Sequence, residues 1–471
     1  MSQKKPNLVY VFADQLRYSS VGFNGDKKAQ TPCIDALSKE SECMDKTFSG
    51  HPVCAPYRAS LFTGKYTTST GMVINEIRIN PHHKCFAHVL NENGYETSYI
   101  GKWHMYAAKL GDHFNPENSY IPEGPDRLGF NGYFAAYNFH HKYYSPDAYY
   151  HLNSPEKIYY KKYEPDEQTD MAIERIKAHK SSGKPFALFL SIGTPHDPWT
   201  KDNVPPEYYD KFKSVSFPKP PNYKKFNDPH ADPWARFLPG KRKMLEENMR
   251  VYYSMVANLD MNVGRLWQTI KDEGLEEDTI FVFTADHGEM FGAHGRHAKN
   301  IFYDEAIRVP FIIKWGNKLP AVKNNTCFNT VDIMPSLLNM MGLPIPDTVE
   351  GKDISNSITS GNFIKNDSLL MGTGPTAIYG NGVEWRGIRT DRYTYATYRV
   401  DKSEYLFDNE KDPYQMNNLA KNPEFKSLLN ELKSEMKAMM TEIGDDFEKN
   451  SYYKKNWVVD RKIKENLIRR K

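Results

Sequence analysis

Short runs of β-branched and aromatic residues alternate with helical patterns through the first three-quarters of this 471-residue chain. Such an alternation predicts an α/β fold in which helices flank a mostly parallel central sheet. A chain of this length is too long for one simple core, so we expect two domains. Near Asn366 the pattern changes to short strands and a final helical region. We therefore expect a large α/β domain over residues 1–365 and a small C-terminal α+β domain with a short antiparallel sheet over residues 366–471.

Most of the predicted strands are followed by polar side chains. The strands are expected at residues 8–13, 97–100, 186–192, 280–284 and 310–313, and the helices at residues 166–180, 241–273 and 331–341 and after Thr31-Pro32. Ligands of open α/β sheets bind at the carboxyl ends of the strands. One edge of the sheet should therefore collect the residues that follow the first four strands, which are Asp14, then Lys102 and His104, then His196, then Asp286 and His287.

The charge and hydropathy patterns exclude two classes of partner. The 62 basic and 59 acidic residues nearly cancel, so we expect no nucleic-acid binding, and we interpret the basic run over residues 454–471 as a solvated helix face. No stretch reaches the roughly 18 apolar residues of a membrane span, so we expect no membrane partner. Residues 1–6 contain no signal peptide, which favours a cytoplasmic location; a trimmed form of an exported, periplasmic protein is the alternative.

The five cysteines form a sparse set without any C-x-x-C pair, so neither a zinc knuckle nor a thioredoxin-type redox site is supported. Cys54 differs from the others because it opens the sequence Cys54-Ala55-Pro56-Tyr57-Arg58 and a helical pattern over residues 57–62. This places it at a helix N-terminus, where the dipole favours an anion. The other four are expected to be reduced and buried, with a disulfide among them left open: Cys33, Cys43, Cys85 and Cys327.

The C-x-P-x-R core at Cys54, extended by L-F-T-G at residues 61–64, resembles the signature of the type I sulfatases of the alkaline phosphatase-like superfamily. Four more family-like motifs occur in order, at residues 7–15, 101–104 (G-K-W-H), 195–198 (P-H-D-P) and 284–299. Residues 406–420 resemble the family's C-terminal signature, so the resemblance spans almost the whole chain. The departures are Gln15, where the family usually has a second aspartate, and Tyr57, where it usually has serine or threonine.

The resemblance implies a sulfuric ester hydrolase whose nucleophile is made by converting Cys54 to formylglycine. One hydroxyl of the hydrated aldehyde attacks sulfur and the other later expels sulfate. A formylglycine-generating or sulfatase-maturating enzyme is then a required partner. The resemblance also implies one divalent cation, for which Ca²⁺ suits the oxygen-rich set and Mg²⁺ or Mn²⁺ are alternatives. The implied ligands are residue 54 together with Asp14, Gln15, Asp286 and His287.

The remaining motif residues receive roles from the same resemblance. Arg58 is expected to hold residue 54, and Lys102 and Lys299 to bind the sulfate oxygens. His196 is expected to protonate the leaving oxygen with help from Lys299, and His104 to act as the base of the second half-reaction. Glu289 and His294 are expected to support the fold or the surroundings of the cation.

Three functions remain open at this point. The aromatic content of 13% and two polar segments, residues 105–165 and 214–240, favour a sulfated saccharide as the substrate, and we expect both segments to be insertions over the site edge. A phosphonate monoester or phosphodiester hydrolase could use the same nucleophile and cation. A non-catalytic glycan-binding protein on the same scaffold is the third function. The sequence does not name the sugar, the sulfated position, or exo or endo action.

Overall fold

A computed structural model gives the fold and describes residues 5–107, 115–374, 380–459 and 462–463. Within these ranges, eight of the first ten strands form one sheet in the order β10-β2-β9-β8-β1-β7-β3-β4, and β5 pairs with β6. The strands are, in chain order, β1 (Asn7–Ala13), β2 (Glu42–Phe48), β3 (Glu96–Lys102), β4 (Phe134–Tyr137), β5 (Tyr149–Tyr150), β6 (Ile158–Tyr159), β7 (Phe186–Ile192), β8 (Thr279–Ala285), β9 (Phe311–Lys314) and β10 (Lys323–Asn329).

The central sheet is mostly parallel, as the sequence predicts. Strand β9 runs against its neighbours β2 and β8, and the other seven strands share one direction. Strand β1 lies between β7 and β8, with Val9 opposite Leu188 and Phe281. All seven residues of β1 are buried because helices cover both faces of the sheet.

The helices divide between the two faces, and the alternation along β1 assigns each face its core. Leu8, Tyr10 and Phe12 join the apolar cluster of α2, α4 and α10, whereas the intervening β1 residues join that of α1, α5 and α8. The helices of this part are α1 (Pro32–Lys39), α2 (Cys54–Thr63), α3 (Thr67–Thr70), α4 (Phe86–Glu92), α5 (Glu164–Ser182), α6 (Pro206–Asp210), α7 (Pro239–Lys243), α8 (Leu245–Asp272), α9 (Asp304–Ile307), α10 (Thr330–Met340) and α11 (Ser355–Ser360).

The C-terminal part contains an antiparallel four-stranded sheet, as expected. Helix α12 (Lys426–Glu442) packs on this sheet, and Arg386 forms a buried two-bond ion pair with Asp445 at 2.5 and 3.0 Å. The domain boundary at residues 365 and 366 stays a prediction. The strands are β11 (Ser368–Gly372), β12 (Trp385–Arg389), β13 (Tyr393–Tyr398) and β14 (Glu404–Asp408), and after α12 follow α13 (Asn450–Trp457), β15 (Val458–Val459) and β16 (Lys462–Ile463).

Three expectations about local structure are wrong in part. Residues 105–165 are not wholly an insertion, because β4 pairs in parallel with β3, with Tyr99 opposite Phe134; residues 108–114 lie outside the described residues. The helix expected at residues 241–273 is interrupted at Met244, which separates α7 from α8. The basic run is not one helix face, because α13 ends at Trp457 and β15 then pairs with β16; residues 460–461 and 464–471 lie outside the described residues.

None of the helices in the described ranges is long and apolar enough to cross a membrane.

Candidate active site

The carboxyl ends of the neighbouring strands β1 and β8 bring two carboxylates to the same edge of the sheet. The ladder continues one residue past each strand: the Asp14 amide donates to the Ile192 carbonyl at 3.0 Å, and the Asp286 amide to the Ala13 carbonyl at 3.1 Å. Lys102 ends β3, and its Nζ lies 2.5 Å from Asp14 Oδ2. The three charged side chains are fully buried. Buried charges of this kind persist only when other charges or ligands compensate them.

Helix α2 delivers Cys54 to this edge. The helix begins at Cys54, and every one of its residues is buried. Cys54 Sγ lies 3.6 Å from Asp14 Oδ1 and 3.2 Å from His287 Nε2. Burial, and then the Asp14 carboxylate, raise the pKa of the Cys54 thiol to about 12. Tyr57, which departs from the family motif, points into the core, where its hydroxyl lies 3.3 Å from that of Tyr10.

Cys54 and three other potential metal ligands lie close together. Ligand atoms of Asp14, Cys54, Asp286 and His287 all lie within 4.8 Å of one another. His287 Nδ1 lies 3.0 Å from the Gly288 carbonyl, to which it donates, so the Nε2 lone pair is available to the cluster. Asp286 Oδ2 is buried and has no hydrogen-bond partner in the described structure. Two carboxylates, one of them with an unsatisfied oxygen, and an imidazole fit a divalent cation.

The electrostatics of the cluster also fit a cation. Burial, and then the Asp14 charge, raise the pKa of Asp286 above its usual value. Burial alone would raise the pKa of Asp14 as well, but the positive charges of Lys102, Lys299 and Arg58 hold it well below its usual range. Two buried carboxylates therefore oppose each other's ionisation, and a divalent cation between them would remove that opposition.

Gln15 links the cluster to Lys299. Its backbone N–H donates to Asp286 Oδ1 at 2.9 Å. In its side chain, Oε1 accepts from Lys299 Nζ at 2.6 Å, and Nε2 donates to Glu289 Oε2 at 2.7 Å. The backbone of Gln15 is left-handed, with a φ of 69°. Gln15 thus holds two candidate site residues, and its own ligation of a cation stays a prediction.

Arg58 lies four residues along α2 from Cys54 and is fully buried. Its Nη2 is 3.6 Å from Asp14 Oδ2 and 3.7 Å from Asp286 Oδ2. Its Nη1 donates to the Lys102 carbonyl at 2.5 Å and to Ser191 Oγ at 2.7 Å. Arg58 therefore places a fixed positive charge behind both carboxylates.

His196 and Lys299 form a second pair beside the cluster. Lys299 Nζ donates to His196 Nε2 at 2.8 Å, and His196 Nδ1 donates to the Asp197 carbonyl at 3.0 Å. Burial, then Lys299 and Lys102, lower the pKa of His196 well below its usual value. Because Nδ1 donates and Nε2 accepts, the ring has the hydrogen-bonding pattern of a neutral imidazole.

Both polar segments reach the site. Trp234, from residues 214–240, has its ring centre 4.6 Å from Lys299 Nζ. Phe139, from residues 105–165, contacts the ring of His104 at 4.7 Å between centroids and lies 5.2 Å from Lys102 Nζ. His104 lies two residues beyond β3 and is buried with a φ of 56°. Each segment thus brings an aromatic side chain to the candidate site.

Sequence reasoning missed His141, whose ring lies 4.3 Å from the ring of His196. No motif marks this histidine. The signal that could have found it is its place shortly after β4, a strand that was not predicted.

Other motif residues support the site without lining it. Glu289 Oε1 accepts from the amides of Phe291 and Ala298 at 3.1 and 2.9 Å, which fixes the loop before Lys299. His294 stacks on Tyr303 with ring centroids 3.7 Å apart. All five cysteines are free, and the expectation that they are buried is wrong for Cys33, which is exposed.

The chain belongs to the sulfatase family. Residues 6–343 match the family model described as "Sulfatase", and residues 292–442 match the one described as "N-sulphoglucosamine sulphohydrolase, C-terminal". The ulvan-active sulfatase of Formosa agariphila is 36% identical over 458 residues, which cover 96% of this chain and 84% of that protein. The protein is therefore a sulfuric ester hydrolase of the alkaline phosphatase-like fold.

Two solved structures show the same fold. The crystal structure of yidJ from Bacteroides fragilis, which is assigned as a sulfatase, has a TM-score of 0.83 and 29% identity, and covers 96% of this chain and 98% of that chain. The phosphonate monoester hydrolase of Agrobacterium radiobacter has a TM-score of 0.68 and 20% identity, and covers 93% of this chain and 96% of that chain. The second likeness concerns the fold alone.

Proposed function

We propose that this sulfatase hydrolyses sulfate esters of carbohydrates, with a formylglycine made from Cys54 and a bound divalent cation. One observation carries the proposal: Cys54 opens a buried helix within 4.8 Å of the ligand atoms of Asp14, Asp286 and His287. An unmodified thiol with a raised pKa is a weak nucleophile in this place. The hydrated aldehyde would supply a hydroxyl that attacks sulfur and a second hydroxyl that allows sulfate to leave.

Ca²⁺ is the proposed cation, with Mg²⁺ and Mn²⁺ as alternatives. Asp14, Asp286 and His287 would hold it with an oxygen of residue 54, and Gln15 through its amide oxygen. When bound, the cation would polarise the sulfate and lower the pKa of the attacking hydroxyl. Arg58 keeps both carboxylates in place from behind, at 3.6 and 3.7 Å.

The lysines are proposed to bind the sulfate oxygens. Lys102 and Lys299 are buried at the edge of the cluster, where a low dielectric strengthens their attraction for an anion. Their ammonium groups are already fixed, Lys102 by Asp14 and Lys299 by Gln15 and His196. Charges fixed before the reaction stabilise a transition state without reorganising.

The pair of His196 and Lys299 is proposed to protonate the leaving oxygen. Lys299 Nζ donates a hydrogen bond to His196 Nε2 at 2.8 Å. An anionic substrate favours a protonated imidazole, so His196 would deliver the proton to the leaving oxygen and Lys299 would assist by its hydrogen bond to the ring. His104 is proposed as the base that takes a proton from residue 54 in the second half-reaction.

A carbohydrate substrate is supported by three observations. The C-terminal family model is named for a sulfated glucosamine, and the similar Formosa agariphila protein is named for activity on ulvan. Both polar segments bring an aromatic side chain to the site, Phe139 and Trp234. The conversion of Cys54 requires a maturating enzyme as a partner, and the cellular location stays a prediction.

The test is an activity screen on defined monosulfated saccharides, using protein whose residue 54 has been verified as the aldehyde. Release of sulfate from at least one saccharide, with none from Cys54→Ala, is the expected result. An aryl phosphonate ester serves as the competing substrate class; faster turnover of the phosphonate than of every sulfate ester would favour phosphonate hydrolysis. Saccharide binding without turnover of any ester by verified protein would favour a glycan-binding role.

A further inference from the structure

His141 and Asp197 lie beside the proposed proton donor, and the mechanism above uses neither. Ring nitrogens of His141 and His196 and a carboxylate oxygen of Asp197 all lie within 4.8 Å of one another. The carboxylate of Asp197 is 3.1 Å from His196 Nδ1. His141 follows β4 and Asp197 follows β7, so two separate loops meet at this point. Because His196 faces the leaving oxygen in the proposed reaction, its neighbours border the leaving group.

One ring nitrogen of His141 is unsatisfied in the described part of the structure. Its Nε2 is buried and has no hydrogen-bond partner among the residues that the structure describes. Burial, and the positive charges of the nearby lysines Lys102 and Lys299, lower the pKa of His141 well below its usual value, so the ring is neutral. A neutral imidazole offers one donor and one acceptor, and a hydroxyl group can satisfy either. A buried nitrogen without a partner is unfavourable, which a bound hydroxyl would correct.

Asp197 supplies the complementary group. Its side chain is 39% exposed, so it faces the open side of the site. A carboxylate accepts hydrogen bonds and donates none when ionised, and its charge repels a second anion. A free hydroxyl would therefore be accepted beside Asp197, and a sulfate or carboxylate group would be disfavoured.

A second metal ion does not explain this cluster. His196 donates from Nδ1 to a backbone carbonyl and accepts from Lys299 at Nε2, so neither nitrogen has a free lone pair. The ammonium of Lys299, 2.8 Å from that ring, would also repel a cation.

We propose that His141 and Asp197 form a hydroxyl-binding subsite for the leaving group. The subsite takes a sugar ring that carries a free hydroxyl next to the sulfated carbon and selects against a charged group at that position. This inference rests on the proposed function, since it names the leaving group of the same reaction.

A cycle of substrate and enzyme changes tests the subsite. The substrates are a monosulfated sugar that the protein hydrolyses, its deoxy analogue at the neighbouring position, and 4-nitrophenyl sulfate. His141→Ala should lower kcat/KM on the hydroxyl-bearing sugar by about 10–100-fold, the value of one buried hydrogen bond. The kcat/KM of the unsubstituted protein should fall by a similar factor when the sugar is replaced by its deoxy analogue. On that analogue, the kcat/KM of His141→Ala should be less than about threefold below that of the unsubstituted protein. On 4-nitrophenyl sulfate the variant should stay within about threefold of the unsubstituted protein.

His140→Ala is the matched control, because His140 bonds to the Tyr149 carbonyl at 2.9 Å and lies 3.7 Å from Glu164 Oε2. Its effect, if any, should be the same on all three substrates. The subsite would be overturned if the two losses in kcat/KM, one from His141→Ala and one from the deoxy substrate, multiply when the variant is assayed on the deoxy substrate. Asp197→Asn should relieve the selection against a neighbouring sulfate; a preference of the unsubstituted protein for a vicinal disulfated sugar would refute the role of Asp197.

The comparison of the two sugars needs no variant, so a variant that fails to fold leaves the test intact. Equal kcat/KM of unsubstituted protein on the sugar and its deoxy analogue would overturn the subsite alone. Failure of verified protein to hydrolyse any sulfate ester would instead refute the proposed function, and the two failures are thereby distinguishable.

Discussion

Replacing His196 with alanine tests whether the protein supplies a proton to the leaving oxygen. The change removes the acceptor of one hydrogen bond from Lys299, at 2.8 Å. Lys299 keeps its bond to Gln15 Oε1 at 2.6 Å and its contact with the Trp234 ring at 4.6 Å. Because two contacts still hold the ammonium, sulfate binding should survive, and the main loss should fall on proton delivery.

The magnitude depends on the leaving group. A hydrogen bond to a charged group contributes about 1.5–3 kcal/mol, so loss of order around Lys299 should cost every substrate at most about 160-fold. A positioned acid contributes about 10²–10⁴-fold more when the leaving group is a sugar hydroxyl. A nitrophenolate leaves without a proton. The kcat/KM of His196→Ala should therefore fall about 10²–10⁴-fold further on a sugar sulfate than on 4-nitrophenyl sulfate.

The assay compares initial rates on both substrates at equal concentrations of aldehyde-bearing protein, with thermal unfolding as a check on the fold. His151→Ala is a matched control, because this buried histidine bonds to Ser119 Oγ at 2.8 Å and to the Glu156 carbonyl at 2.9 Å, apart from the cluster. It should affect both substrates equally. Equal losses from His196→Ala would refute the acid role and leave His196 as a residue that only positions Lys299.

Four other outcomes are expected. Mass spectrometry of the Cys54 peptide from active protein should show the aldehyde; full activity with an intact thiol would exclude it as the nucleophile precursor. Asp286→Ala should abolish both turnover and the rise in Tm with added Ca²⁺, and turnover that survives exhaustive chelation would contradict a catalytic cation. His104→Ala should release a burst of alcohol and then turn over slowly, whereas absence of the burst would assign His104 to sulfate binding. Asp445→Ala leaves the buried Arg386 without its ion-pair partner and should lower the free energy of unfolding in urea by about 3–5 kcal/mol. The kcat/KM of the folded variant should be unchanged, and a change in kcat/KM would be inconsistent with a structural role.

The sheet and the convergence of its strand ends could be predicted because β1, β7 and β8 are continuous apolar runs buried on both faces. A run of this kind carries its own signal, and the polar residue that ends it is visible in the sequence. Asp14 and Asp286 were therefore placed at one edge without any structure. The antiparallel direction of β9 is set by its partners and has no local signal.

The parts that escaped prediction depend on distant contacts. Strand β4 has only four residues, Phe-Ala-Ala-Tyr, in a segment rich in tyrosine and histidine, and it is a strand because β3 pairs with it. Without β4, nothing distinguishes His141 from the neighbouring histidine. The interruption between helices α7 and α8 is a change in the backbone conformation of one residue, Met244. The spacing of apolar residues gives no sign of it. In the sequence, Tyr57 is only a departure from a motif, whereas the structure shows that its hydroxyl contacts that of Tyr10 in the core.

The burial of helix α2 restricts when Cys54 can be converted during biosynthesis. An enzyme that reads the peptide from Cys54 to Arg58 needs it extended and accessible, yet in the folded protein all of it lies within a buried helix, and Cys54 is only 1% exposed. The groups that close over Cys54 include Asp286 and His287, which leave the ribosome more than 200 residues later. The growing chain therefore offers an interval in which the peptide is complete and its pocket cannot yet exist. The proposed conversion would fall in that interval, and a molecule that folds first would keep an unmodified thiol at residue 54.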